Sequence, residues 1–304
     1  MRSRSSPAGT FLAFVMVLLG AMLFAAVLSP WVHWLLTPLR DFPLHRVFSR
    51  LTMAGVLGGT LWLLRRHDLA RREVLGYDRP WPVFAKRIVA GLVAGLLLMT
   101  AALVPLFLLG VRQWNPAQLP HLPQLLLKGL GSGLLVALIE ESFFRGAMQG
   151  ALQRQNAPRL ALFAVPVFYA AVHFLGRAGN VPADQVDATS GFTAMAGFFS
   201  LYAHPLLLLD AFLALYCVGL LLALLRQRMG DIACCIGLHA GFVAVIAIFR
   251  KLSLPGASDW SFLVGRFDGL LGAWIAVLTA LVCVALWRWP RHAAVDRQGS
   301  SAAP

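Results

Sequence analysis

Glu140 and Glu141 stand side by side in an apolar run, Gly-Leu-Leu-Val-Ala-Leu-Ile-Glu-Glu-Ser-Phe-Phe-Arg-Gly, with Arg145 four residues on. The surrounding segment, about Leu125 to Leu152, is long and apolar enough to cross a bilayer as a helix. A charge at the bilayer centre costs at least ~2.5 kcal/mol, so ionisable groups there mark functional sites. Glu141 and Arg145 are i,i+4 neighbours on one helix face, which predicts an ion pair. Glu140 is turned about 100° away around the helix and is free to face a different partner. One carboxylate held by an arginine beside another left partly desolvated is the setting for a general base.

Two histidines also fall inside apolar runs, His173 in Val-Phe-Tyr-Ala-Ala-Val-His-Phe and His239 in Ile-Gly-Leu-His-Ala-Gly-Phe-Val. Counted from the span ends nearest the cytoplasm, Glu140, His173 and His239 lie roughly 18, 20 and 12 Å deep. Three polar side chains from three helices at comparable depth are expected to face one pocket, where they solvate one another. Tyr169, four residues before His173, is expected to orient its ring or a substrate carbonyl.

The elements that must position these residues are membrane helices. Of the 304 residues 59% are hydrophobic and only 13% charged, and the mean hydropathy is +0.73; soluble domains are about 25% charged. Eight spans are predicted: Phe11–Leu36, Val47–Leu64, Ile88–Val111, Leu125–Leu152, Leu160–Leu175, Leu206–Leu225, Asp231–Phe249 and Gly269–Trp289. Pro30 and Pro105 are expected to kink the first and third. The first run exceeds the 7–15 residues of a signal-peptide core and reads as an uncleaved span. Cys217, Cys234, Cys235 and Cys283 all fall in apolar segments without a C-x-x-C pair and read as small buried hydrophobes. Gly129, Gly131 and Gly133 with Ser132 are expected to form a small-residue packing face. Asp231 is expected to cap a helix and Asp210 to be interfacial or paired.

The net charge of +13 belongs to basic loop residues flanking membrane helices, and no nucleic-acid motif accompanies it. With the N-terminus in the cytoplasm, 16 of the 26 Lys and Arg fall in inside segments and 8 in outside ones. This bias predicts both termini on the cytoplasmic side of a bacterial inner or plasma membrane. The stretch from Ala178 to Pro205 is expected to be a plain surface loop, with an interfacial helix or lid as the alternative. The tail from Arg291 to Pro304 is polar and expected to be disordered. The chain divides into an N-terminal region of three spans with a basic loop (1–124), a core holding the polar residues (125–250), and a last span with its tail (251–304).

The pattern Glu140-Glu141-x-x-x-Arg145, then Tyr169-x-x-x-His173, then His239 on a third helix resembles the CPBP family of intramembrane proteases, also called the Abi or type II CAAX prenyl protease-like family. The resemblance covers about Leu125 to Ile248. It implies an all-α polytopic membrane fold and hydrolysis of a peptide bond inside the bilayer. The implied catalytic residues are Glu140, Glu141, Arg145, His173 and His239. Glu140 would activate water, while His173 and His239 would bind a metal or stabilise the oxyanion. Glu140, His173 and His239 together would suit a divalent cation such as zinc, and a metal-free site needs the same residues. Two positions depart from the family: Tyr169 stands where Phe is usual, and Val243 stands where Asn or Asp would help hold an oxyanion. The implied partners are the lipid bilayer and a membrane-embedded or lipid-modified peptide. A non-catalytic membrane protein of the same fold, such as an immunity factor, scaffold or transporter component, is the alternative. Other intramembrane protease motifs are absent: there is no H-E-x-x-H, a G-x-S-G loop would need Gly where Leu130 stands, and G-x-G-D would need Gly where Arg228 stands.

Overall fold

The computed structural model describes residues 6–37, 42–176 and 181–289. The protein is an all-α polytopic integral membrane protein. Helix α1 spans Pro7–Leu36 and α2 Leu44–Arg66; the one-turn α3, Arg72–Leu75, leads to α4, Trp81–Leu108. Helix α5, Leu122–Glu141, runs on through a π turn, Ser142–Met148, into α6, Gln149–Arg154. Then come α7, Pro158–Val172; α8, Ser190–Phe198; α9, Pro205–Met229; α10, Ala233–Leu252; and α11, Ala273–Arg288.

Each predicted span has its helix. Six helical stretches are long and apolar enough to cross a membrane, while α7 and α11, with 15 and 16 residues, are shorter. The outer faces are as apolar as the inner ones: Leu12, Leu23, Leu97, Leu127 and Leu281 are all exposed. A helix apolar on every side is suited to lipid rather than water. Pro30 and Pro105 lie inside α1 and α4, each of which runs through its proline as one helix, and Pro166 lies inside α7.

Helix α10 is the centre of the core, packed between α4 and α5 at backbone contact. A methyl group at Gly237 would overlap the carbonyl oxygen of Ile88, and one at Gly241 would lie 2.7 Å from the amide nitrogen of Leu96. One at Gly133 of α5 would lie 2.6 Å from the oxygen of Ala240. Lipid offers no hydrophobic drive for helix association, so small residues that bring backbones together supply the packing energy. The expected small-residue face of α5 holds for Gly129 and Gly133, but a methyl at Gly131 meets nothing within 4 Å. Gly131 lies two residues from each of the other two, about 200° away around the helix.

The plain-loop expectation for Ala178 to Pro205 is overturned. The apolar patch in it forms α8, whose Gly191 and Ala194 are buried. A methyl at Gly191 would overlap the Ala26 carbonyl of α1 and lie 2.9 Å from the Ser29 hydroxyl. The opposite side of the bundle from α3 carries a small clip: β1, Arg112–Trp114, pairs antiparallel with β2, Ser253–Pro255. Asp210 accepts the backbone N–H of Arg266 at 3.0 Å, a paired role as expected. The four cysteines are free thiols, three of them buried. The tail expected to be disordered lies outside the described residues.

Candidate active site

The site forms where α5 passes into the π turn, facing α7, α9 and α10. Glu141 and Arg145 pair at 3.0 Å with both side chains fully buried. Arg145 also donates to the Gly219 carbonyl of α9 at 3.0 Å. Its guanidinium lies 4.5 Å from the centre of the Tyr169 ring and 5.7 Å from that of Phe144. A buried cation is tolerable only when paired and hydrogen-bonded, and Arg145 has a carboxylate, a carbonyl and two aromatic faces. Gly219 makes this possible, since a Cβ there would lie 2.9 Å from the Tyr169 ring. One turn on, Gln149 donates to the Ala223 carbonyl at 2.9 Å. The two α9 carbonyls thus hold the middle of the widened turn and the residue that follows it. Single π turns inside helices are frequent at functional sites.

Glu141 has a second partner. His239 donates from Nδ1 to the same carboxylate oxygen, Oε1, at 2.8 Å. His173 donates from Nδ1 to the Tyr169 carbonyl at 2.7 Å. Both imidazoles are thereby fixed in the tautomer that leaves a lone pair on Nε2. Both Nε2 atoms face Glu140, whose Oε2 lies 3.7 Å from His173 Nε2 and 3.8 Å from His239 Nε2. That oxygen is buried and accepts no hydrogen bond from the protein. The side chains of Glu140 and His173 are 28% and 27% exposed, against 4% for His239 and none for Glu141. Glu140 and His173 thus line the open side, with the others behind them.

All five residues expected at the site are brought together there, and the two glutamates divide as their helix positions predict. His173 is not mid-helix, however. Helix α7 ends at Val172 and His173 is its C-cap. The end of α7 and the turn beyond it are tied to the end of α8 and the residues that follow: Gly176 N–H donates to the Phe198 carbonyl at 2.9 Å, and the Tyr202 hydroxyl to the Ala171 carbonyl at 2.5 Å. Tyr169 orients His173 through its backbone carbonyl, while its ring lies beside the imidazole with centroids 4.4 Å apart and planes tilted by 58°.

Two lone-pair nitrogens and a carboxylate are the donor set of a catalytic zinc site. They fit a divalent cation in kind. In spacing, no group of three such side chains among the described residues is placed to hold a metal ion.

Sequence reasoning missed several supports. Ser142, the first residue of the π turn, donates to the Leu138 carbonyl at 2.5 Å and lies 2.5 Å from the Tyr77 hydroxyl. Asp231 lies one residue before Ile232, the N-cap of α10, rather than at the cap itself; it accepts the Ala233 N–H at 3.1 Å and is fully buried and paired with Arg87 and Arg79. A hollow elsewhere, of about 320 Å³, is lined by Leu224, Gln227, Arg228, Trp287 and Trp289, with no carboxylate or histidine among them.

Residues 122–245 match the family model described as type II CAAX prenyl endopeptidase Rce1-like. This interval holds Glu140, Glu141, Arg145, Tyr169, His173 and His239. No curated protein and no solved structure matches the chain.

Proposed function

We propose that the chain, which belongs through residues 122–245 to the Rce1-like type II CAAX prenyl endopeptidase family, is an intramembrane endopeptidase in which Glu140 activates the attacking water. The observation that carries this reading is the Glu140 carboxylate facing two imidazole lone pairs at 3.7 and 3.8 Å on the open side of a buried ion-pair network. Gaps of this length are spanned by a water held between polar atoms.

Glu140 Oε2 accepts a proton from that water, and the hydroxide oxygen forms a bond to the carbonyl carbon of the scissile peptide. Glu140 then returns the proton to the leaving nitrogen as the C–N bond breaks, giving a carboxylic acid and an amine. Glu141 holds His239 in its tautomer, and the Tyr169 carbonyl holds His173 in the same one. Arg145 holds Glu141. Low dielectric around the buried members strengthens each of these interactions.

Val243 has no hydrogen to donate to the tetrahedral oxygen, and both Nε2 atoms accept rather than donate. This favours a metal-assisted reaction. His173 and His239 would supply two ligands to a divalent cation such as zinc, which when bound would supply Lewis-acid polarisation and an acidified water, and Glu140 would keep its lone pairs for the proton.

The substrate class is a membrane-embedded or lipid-modified peptide that approaches Glu140 and His173 from the open side. The basic side carrying the loops after α2, α6 and α9 faces the cytoplasm of a plasma membrane, with both termini there. A non-catalytic role in the membrane is the competing reading. The discriminating experiment is cleavage of a prenylated or membrane peptide by the purified protein beside the Glu140→Gln, His173→Ala double variant. Cleavage lost in the double variant supports the protease. A cellular phenotype that survives both substitutions supports a binding role.

A further inference from the structure

The chain between α2 and α4 lies outside the family-matched interval, yet it docks on the turn that follows Glu141. Gly76 adopts φ +77°, and a Cβ there would lie 3.0 Å from Cζ of Arg226 and 3.1 Å from the Ile232 nitrogen. Its carbonyl accepts the Ile232 N–H at 3.3 Å. The Val74 carbonyl accepts from Arg226 at 3.1 Å, and the same guanidinium reaches the Arg145 carbonyl at 3.4 Å. On the facing side, a Cβ at Gly146 would lie 3.1 Å from the Leu75 carbonyl, and one at Gly150 would overlap that of Val74. Two glycines, one in the π turn and one in α6, therefore leave room for the backbone of α3.

This docking delivers the half-buried Tyr77. Its ring stacks on Phe84 with centroids 5.5 Å apart, and its hydroxyl lies 2.5 Å from Ser142 Oγ. Ser142 spends its only hydroxyl proton on the Leu138 carbonyl. The bond between them must therefore run from the Tyr77 O–H to the Ser142 oxygen. A π turn replaces the i→i+4 ladder by i→i+5 bonds, a rare geometry that ties from outside the helix help to hold. Three are the Arg145, Gln149 and Arg226 contacts with backbone carbonyls. The fourth is Tyr77.

We infer that Tyr77 is a positioning residue for the catalytic carboxylates: through Ser142 it fixes the start of the π turn, hence Glu140 and Glu141, and through Glu141 the ring of His239. The N-terminal region is on this account a working part of the site and not only a membrane anchor. The inference rests on Glu140 being the base.

The experiment compares kcat and KM for peptide cleavage in the full-length wild type, Tyr77→Phe, Ser142→Ala, their double variant, and Glu140→Gln. Misplacement of a reacting group by about 1 Å costs on the order of 10²-fold in rate. Tyr77→Phe is expected to lower kcat by roughly 10- to 100-fold on that scale, with KM changed less than about twofold. The double variant is expected to be no worse than the poorer single one, because both remove one link. Wild-type kcat in Tyr77→Phe, or a loss that appears in KM, overturns the inference. Full turnover in Glu140→Gln instead overturns the assignment of the base. A readout independent of turnover is amide hydrogen exchange. Tyr77→Phe is expected to speed exchange in residues 138–148 and leave residues 205–229 unchanged. Unaltered exchange in 138–148 contradicts the inference.

Discussion

His239 donates to Glu141 Oε1 at 2.8 Å, and Arg145 donates to the same oxygen at 3.0 Å. One buried carboxylate oxygen therefore sets both the tautomer of a site histidine and the position of a buried guanidinium. In the proposed reaction Glu141 stands behind the reacting atoms, and Glu140 acts on them.

Replacing Glu141 by Gln tests this division. It removes the counter-charge of a guanidinium with no solvent exposure, and breaking a buried pair costs on the order of 3–5 kcal/mol. A lower melting temperature in detergent is expected, together with loss of cleavage. Glu140→Gln, at a partly exposed position outside the Arg145 pair, is expected to lose cleavage with little change in melting. Equal melting for the two variants would contradict the division of roles.

Arg145→Lys is not a conservative change here. An ammonium cannot reach Glu141 and the Gly219 carbonyl in the fork geometry of a guanidinium or stack its plane on Tyr169. Losing one such buried charged hydrogen bond costs about 1.5–3 kcal/mol. Thermal melting should fall accordingly, and activity at least about tenfold, since that factor is 1.4 kcal/mol of barrier.

The division of the glutamates was legible because 100° of helix rotation separates neighbours, so only Glu141 can meet Arg145. The meeting of Glu140 with two histidines followed from depth in three spans. The supports were not legible, because they depend on tertiary placement. Gly219 and Gly146 look like any glycines until Tyr169 and Leu75 are seen against them. The π turn leaves no mark in hydropathy, and the basic loop that carries Tyr77 reads as a solvated connector. Helix α8 was hidden because its nine residues are too few to span a membrane, and only burial against α1 distinguishes it from loop.

Glycine packing gives a paired prediction. Gly237→Ala places a methyl on the backbone of α4 and should destabilise by roughly 1–3 kcal/mol, the usual cost of overpacking. Gly131→Ala meets nothing within 4 Å and should leave the melting temperature unchanged or slightly raised. Thermal melts of the two variants in the same detergent check this. Equal effects would contradict the central place of α10.

Metal removal gives another. Incubation with a strong zinc chelator is expected to abolish cleavage and zinc to restore it, with bound metal lost in His239→Ala. Full turnover in chelator, with no metal in the purified protein, would return the reaction to the glutamate and histidines alone.

Alkaline pH tests the Tyr77 contact. Burial is the main cause that pushes its phenol above the ordinary value, about 10. A raised folded value contributes stability that is present below the unfolded value and lost as pH rises through the folded one. Above about pH 10 the wild type should therefore lose thermal stability more steeply than Tyr77→Phe. Parallel pH–melting curves for the two proteins would contradict a buried, hydrogen-bonded Tyr77.

The most direct test of the account is turnover of a membrane or prenylated peptide by purified protein in liposomes, wild type against Glu140→Gln. The account predicts single-site cleavage by the wild type and a fall of roughly 10²–10⁴-fold in the variant, the contribution typical of a general base. Cleavage at an unchanged rate in Glu140→Gln would contradict it.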